Sequence, residues 1–169
     1  GTLQQGSIHY RSVTSCLMPI GNAAGKHVVT VEGINNQSLT PVQDAFVQEG
    51  ATQCGFCTPG FIVSMTGHCL QEASSTHERC IDAVNGNICR CTGYKSIERA
   101  AVKVNELLAQ RNNQTALSFA IDSEIVPPYF DTIPKRLEAL QVAARSIDAS
   151  QKKIAGGTDL YVQQHDTIV

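Results

Sequence analysis

The sequence has no tryptophan, few aromatic residues, and no long run of one charge or of apolar residues. With a formal net charge of −2 and no basic stretch, it lacks the electrostatic footprint of a nucleic-acid binder. No apolar stretch approaches the ~20 residues that cross a bilayer, so no membrane span is expected. Gly1-Thr2-Leu3-Gln4-Gln5 has neither a basic start nor an apolar run, so no secretory leader is read there. Apolar residues make up 42% of the chain, enough for a core.

Cysteine is what the sequence has in excess: seven in 169 residues. An odd count without a leader argues against a disulfide framework, and a cytoplasmic location with reduced thiols is expected. Four of the seven form two close pairs, Cys54-Gly55-Phe56-Cys57 and Cys89-Arg90-Cys91. The first is followed by Thr58-Pro59-Gly60 and the second by Thr92-Gly93-Tyr94, which places each in a tight loop before a helix. Unpaired N–H groups at a helix start stabilise negative charge on a thiolate or a sulfide.

Residues 1–34 read as strands and turns. Residues 7–13 alternate loosely, and 26–32 are β-branched and bounded by glycines. Two or three strands bury no core alone, so the chain is expected to begin partway through a domain. From Thr40 the pattern turns helical: Thr40-Pro41-Val42-Gln43 is a capping box, Val42, Phe46 and Val47 make a stripe, and Gly50 is a stop. Thr58 is expected to cap a second helix carrying Phe61, Ile62, Met65, Cys69 and Leu70. Ser75-Thr76-His77-Glu78 reads as a capping box for a third helix, ending near Asn85-Gly86. A fourth runs from about 96 to 110 with Ile97, Ala100, Ala101, Val104, Leu107 and Leu108 on one face.

The order helix, cysteine loop, helix thus occurs twice. Two such hairpins pack as a mainly α, four-helix unit with both loops at one end. Residues 118–134, with Pro127, Pro128 and Pro134, read as an extended linker, and 137–144 as a further helix. A short strand at 152–155 then runs into Gly156-Gly157-Thr158-Asp159-Leu160, a new domain barely begun. The chain reads as a fragment at both ends.

Four thiolates hold either Zn²⁺ or an iron–sulfur cluster. Structural zinc favours two C-x₂-C knuckles, whereas two close pairs, one per iron, suit a [2Fe–2S] cluster. Both readings stay open on chemistry alone, the zinc one describing a metal-stapled helical interaction module. Cys69 and Cys80 fall at apolar helical positions and read as core thiols. Cys16, without a partner nearby, reads the same way. His68, His77 and His165 are expected at the surface. Gly156-Gly157-Thr158-Asp159 by itself is only a turn.

Taken together, the strings 50–60 and 86–94 resemble the helical [2Fe–2S] domain of the xanthine oxidase family of molybdenum hydroxylases. Residues 10–17 and 29–33 look like the last part of that family's plant-type ferredoxin domain. Residues 153–160 are similar to the first phosphate-binding loop of its FAD domain. The resemblance implies a β-grasp remnant over 1–34, the helical [2Fe–2S] domain over 35–113, a linker over 114–130 and the start of an α+β FAD-binding domain over 131–169. Cys54, Cys57, Cys89 and Cys91 then ligate one cluster. Cys16 matches the fourth ligand of a second cluster, whose other three ligands are not in this sequence. Gln53 contacts the pterin of a molybdenum cofactor, and Lys153, Ile154, Ala155, Gly156, Gly157, Thr158, Asp159 and Leu160 contribute to FAD binding.

The function implied is an electron-transfer segment, without catalytic residues of its own. It lies between a molybdenum-binding subunit or domain, where a purine or related substrate is hydroxylated, and FAD, then NAD or O₂. The full assembly is expected to be a dimer. Iron–sulfur and flavin parts on one chain favour the xanthine dehydrogenase arrangement, shared by aldehyde oxidases, over relatives that carry them on separate chains.

Overall fold

The computed structural model of the chain describes residues 1–71, 73–140 and 162–163. Four helices build the main body: α1 (Pro41–Gln48), α2 (Thr58–Cys69), α3 (His77–Val84) and α4 (Lys95–Leu108). Helix α4 packs on α1 and α3, and α2 packs on α3 and α1, which closes a four-membered ring. The capping box opens α1 as the sequence indicates. Gln43 N–H donates to Thr40 Oγ1 at 3.3 Å, and Thr40 N–H donates to Gln43 Oε1 at 2.8 Å.

Helix α2 is apolar on most sides because neighbours cover it on most sides. Phe61, Ile62, Met65 and Cys69 are buried along it, against α1, α3 and the 3₁₀ turn Val31–Ile34. The expected face of α4 is also the buried one: Ile97, Ala100, Ala101, Val104 and Leu108 are all in the core. Cys69 and Cys80 are fully buried, as their helical positions indicate.

Several expectations are corrected. Helix α2 begins at Thr58 with Cys57 at its N-cap, and no side chain caps it. The Thr58 hydroxyl instead bonds Thr52 Oγ1 at 2.8 Å. Thr76, not Ser75, caps α3 by accepting from Arg79 N–H at 3.2 Å. Ser75 is taken by a polar network: its hydroxyl donates to Asn105 Oδ1 at 2.8 Å and lies 3.2 Å from His68 Nε2 and 3.3 Å from Cys80 Sγ. His68, expected at the surface, is therefore buried within that network. Cys16, which on its own reads as a core residue, is exposed in the 3₁₀ turn Ser15–Leu17.

Before the helices, β1 (Thr2–Gln4) and β2 (Ser7–His9) form an antiparallel hairpin with Leu3 opposite Ile8. The strand expected over 7–13 stops at His9, and that expected over 26–32 does not form. β-branched residues favour a strand only where a neighbouring strand offers a ladder. Segment 26–32 instead meets the chain start at one residue: His27 N–H donates to Gly1 O at 2.9 Å and the Gly1 amino group donates to His27 O at 2.6 Å.

The stretch expected to be an extended linker is folded. Thr115 caps α5 (Ala116–Asp122), a 3₁₀ turn spans Pro128–Thr132, and α6 (Ile133–Ala139) follows. Phe119, Ala120, Ile125, Val126 and Phe130 all join the core. Pro128 and Pro134 sit in the first turns of their elements, where a missing N–H costs nothing, so they start structure instead of breaking it. The helix read over 137–144 begins four positions earlier, at Ile133, and 141–144 lie outside the described residues, as does the expected phosphate loop 153–160. No helix among the described residues is long and apolar enough to cross a membrane.

Because Phe130 is fully buried, Phe130→Ala is expected to cost about 3–5 kcal/mol in urea unfolding, where a true linker would show almost nothing. His68 carries a second prediction. Burial, followed by the charges of Arg79 and Arg111, lowers its pKa below the ordinary 6.5, so the fold holds it neutral. Its contribution is complete above pH 6.5 and is lost as pH falls below that value, because the unfolded chain then binds the extra proton. The stability difference between the wild type and His68→Gln, measured from pH 8 to pH 4, should shrink on the acid side.

Candidate metal centre

The loop from α1 to α2 carries Cys54 and Cys57, and the loop from α3 to α4 carries Cys89 and Cys91. Helices α1 and α2 pack on one another, as do α3 and α4, and their two cysteine loops meet. Gly55, between the first two cysteines, has φ 81°, a left-handed turn that glycine takes without strain. That turn is closed by Thr58 N–H donating to Gly55 O at 3.3 Å.

The second loop is tied down by Asn87. Its amide donates to Ser64 Oγ on α2 at 2.9 Å and to Val84 O at the end of α3 at 3.2 Å. Residues 89–94 then fold into a compact turn. Thr92 N–H donates to Cys89 Sγ at 3.4 Å, and Thr92 Oγ1 lies 3.2 Å from the same sulfur. Cys89 N–H donates to Tyr94 Oη at 3.0 Å. Both Gly93 and Tyr94 are left-handed, with φ 62° and 67°. For glycine this is free, whereas for tyrosine it costs about 1–2 kcal/mol.

The thiols meet across the loops. Cys54 Sγ and Cys91 Sγ are 3.4 Å apart, and the Cys57 and Cys89 thiols are near enough to shift one another's pKa. The sequence groups each loop's pair together, but the nearest sulfurs belong to opposite loops. Among the described residues, no group of three His, Cys, Asp or Glu side chains closes on a single-ion position. Cys89 is buried, Cys57 half-buried, and Cys54 and Cys91 are exposed at the tip.

Each cross-loop pair combines one thiol that favours ionisation with one that resists it. The Thr92 hydroxyl, its N–H and the Cys91 N–H pull the Cys89 pKa down to about 7. The Phe56 N–H, with the Cys91 thiol second, lowers that of Cys54. Burial, and then Cys89, raises Cys57, while Cys54 raises Cys91. The donors are loop amides and a threonine hydroxyl, not the helix starts that the sequence suggested. Two sulfurs biased toward thiolate, beside two that hold their protons until a metal displaces them, suit a thiolate-ligated centre.

Gln53 and Arg90 are exposed at the same end. Phe56 is 94% exposed and Ile88 71% exposed, an apolar rim that no sequence pattern signals. Asn87 and Tyr94 were also missed, because no pattern reveals a left-handed tyrosine. Cys16 is exposed in the 3₁₀ turn Ser15–Leu17, and Lys153, Ile154, Ala155, Gly156, Gly157, Thr158, Asp159 and Leu160 lie outside the described residues.

Residues 30–102 match the family described as a [2Fe-2S] binding domain, a span that contains both loops. The chain is 40% identical over 101 residues to the nicotine 6-hydroxylase small subunit of Paenarthrobacter nicotinovorans, covering 60% of this chain and 61% of that one. It is 46% identical over 88 residues to aldehyde oxidase 2 of Macaca fascicularis, and 43% identical over 91 residues to xanthine dehydrogenase of Oryza sativa subsp. japonica. Each of these two covers 51% of this chain. Over about half of its length the chain is thus similar to these oxidoreductases, and the similarity includes its [2Fe-2S] binding-domain match. It spans 61% of the first relative's length and 6% of each of the other two. Among solved structures, quinoline 2-oxidoreductase from Pseudomonas putida 86 aligns with a TM-score of 0.42 and 33% identity, over 50% of this chain and 54% of that one. One of these relatives is by name a small subunit.

Asn87→Ala removes the link between the second loop and α2. It is expected to cost about 1–2 kcal/mol in chemical unfolding and to speed amide exchange at 88–92, with the helical ladders of α1 and α4 unaffected.

Proposed function

We propose that Cys54, Cys57, Cys89 and Cys91 hold a [2Fe–2S] cluster, and that the chain is the electron-transfer segment of a xanthine dehydrogenase-like oxidoreductase. The observation that carries this reading is the meeting of four thiols as two cross-loop pairs at one end of the helical unit. Each iron would then take one cysteine from each loop. When bound, such a cluster supplies one-electron transfer between a molybdenum cofactor on a partner subunit or domain and FAD, with NAD or O₂ as final acceptor.

The residues around the thiols have distinct tasks in this reading. Thr92 and the loop amides keep Cys89 and Cys54 ready as thiolates. Exposed Gln53 offers an amide to the pterin, and Phe56 and Ile88 give the partner an apolar surface around it. Cys16 is the fourth ligand of a ferredoxin-type cluster, and residues 153–160 form an FAD phosphate loop. The domain boundaries proposed are 1–34, 35–113, 114–130 and 131–169, although α5 shows that the third of these is folded and not extended. Bond chemistry on a purine or related substrate belongs to the molybdenum-binding partner. The 46% identity to an aldehyde oxidase supports an aldehyde-oxidising alternative equally well. A cytoplasmic location and a dimeric assembly complete the proposal.

The test is a visible spectrum of the purified protein with iron, zinc and acid-labile sulfide analysis, alongside Cys89→Ser. The expected result is broad visible absorption with matched iron and sulfide, lost from this site in Cys89→Ser together with thermal stability of the loop end. A colourless, zinc-containing protein would turn the function into structural support.

A further inference from the structure

Tyr94 occupies the N-cap position of α4, where a short polar side chain ordinarily takes up a free helix N–H. It makes no such bond. Its hydroxyl instead accepts the Cys89 N–H at 3.0 Å, reaching back over the whole second cysteine loop. To do so the backbone at Tyr94 adopts φ 67° and ψ −23°, a conformation that large side chains avoid and that persists only where surrounding contacts hold it. The contacts are present and form a closed circuit. Cys89 N–H bonds Tyr94 Oη, Tyr94 N–H bonds Thr92 Oγ1 at 3.2 Å, and Thr92 Oγ1 lies 3.2 Å from Cys89 Sγ.

From this circuit we infer that Tyr94 is a positioning residue for the centre. Its hydroxyl fixes the Cys89 backbone so that the sulfur meets Cys57, and it keeps the Cys89 N–H from bonding the centre's sulfurs. The inference rests on the cluster reading above. An N–H beside a cysteine ligand is a natural donor to cluster sulfur, and such bonds raise a reduction potential. By occupying that donor, Tyr94 holds the potential lower than the loop would otherwise set it. The same bond keeps the loop closed on its thiol, which slows metal loss.

Tyr94→Phe keeps the ring and removes the acceptor, and Tyr94→Gly keeps the left-handed turn and removes the side chain. Both are expected to bind iron and sulfide as the wild type does. Both should show a raised reduction potential, an altered visible circular dichroism or electron paramagnetic resonance signature, and iron release to a chelator roughly two- to tenfold faster, the factor corresponding to one net hydrogen bond. If Tyr94→Phe does not fold, Tyr94→Gly gives the same readouts. A lower melting temperature with unchanged potential and signature would make Tyr94 merely structural and overturn the inference while leaving the cluster reading intact. A wild type that holds zinc instead of iron and sulfide would remove the cluster reading, and the inference with it.

Discussion

The close packing of α4 against both α1 and α3 is the contact on which the thiol end depends. Ala100 and Ala101 are fully buried on α4, and their small side chains let its backbone approach its neighbours. A larger residue there would overpack the seam at a cost of about 1–3 kcal/mol. The outer side of the same seam carries Arg99 and Lys103 on Glu49, at 2.8 and 2.9 Å. These pairs are exposed and add little stability, but Arg99 also donates to Glu49 O at 3.2 Å, just past the end of α1. The register of α4 on α1 is therefore defined by packing, and the distance between the two cysteine loops follows from it.

That register explains why the sulfurs pair across loops. Each loop is a tight turn, and Cys54 of one meets Cys91 of the other at 3.4 Å. Holding four thiols together is electrostatically unfavourable once they ionise, and the loops answer with amides and a hydroxyl directed at Cys89 and Cys54. The remaining two thiols stay protonated until something replaces their protons. A metal centre formed here must therefore release protons as it loads, and its assembly should be favoured by rising pH.

How much of this was legible in the sequence depends on the length scale of each feature. The four helices, the capping box at Thr40 and the two cysteine loops were legible because each is encoded within a few residues. Features decided by tertiary neighbours were not. His68 reads as polar and is buried because Ser75, itself bonded to Asn105, meets its ring nitrogen. Residues 26–32 have strand composition and form no strand, for want of a ladder. The prolines of 118–134 suggested an extended chain, yet two of them sit in first turns and Phe130, between them, is in the core. The left-handed backbone of Tyr94 follows from a circuit of bonds to Cys89 and Thr92 that no linear pattern contains.

The central claim, that two loops jointly hold one two-iron centre, is tested most directly by X-ray absorption at the iron edge of the purified protein. The account predicts iron surrounded by sulfur alone, with a second iron as its next neighbour, and loss of that iron neighbour at this site when Cys54 or Cys91 is replaced by serine. Iron with nitrogen or oxygen neighbours and no iron neighbour, or a metal signal indifferent to Cys54 and Cys91, would contradict it.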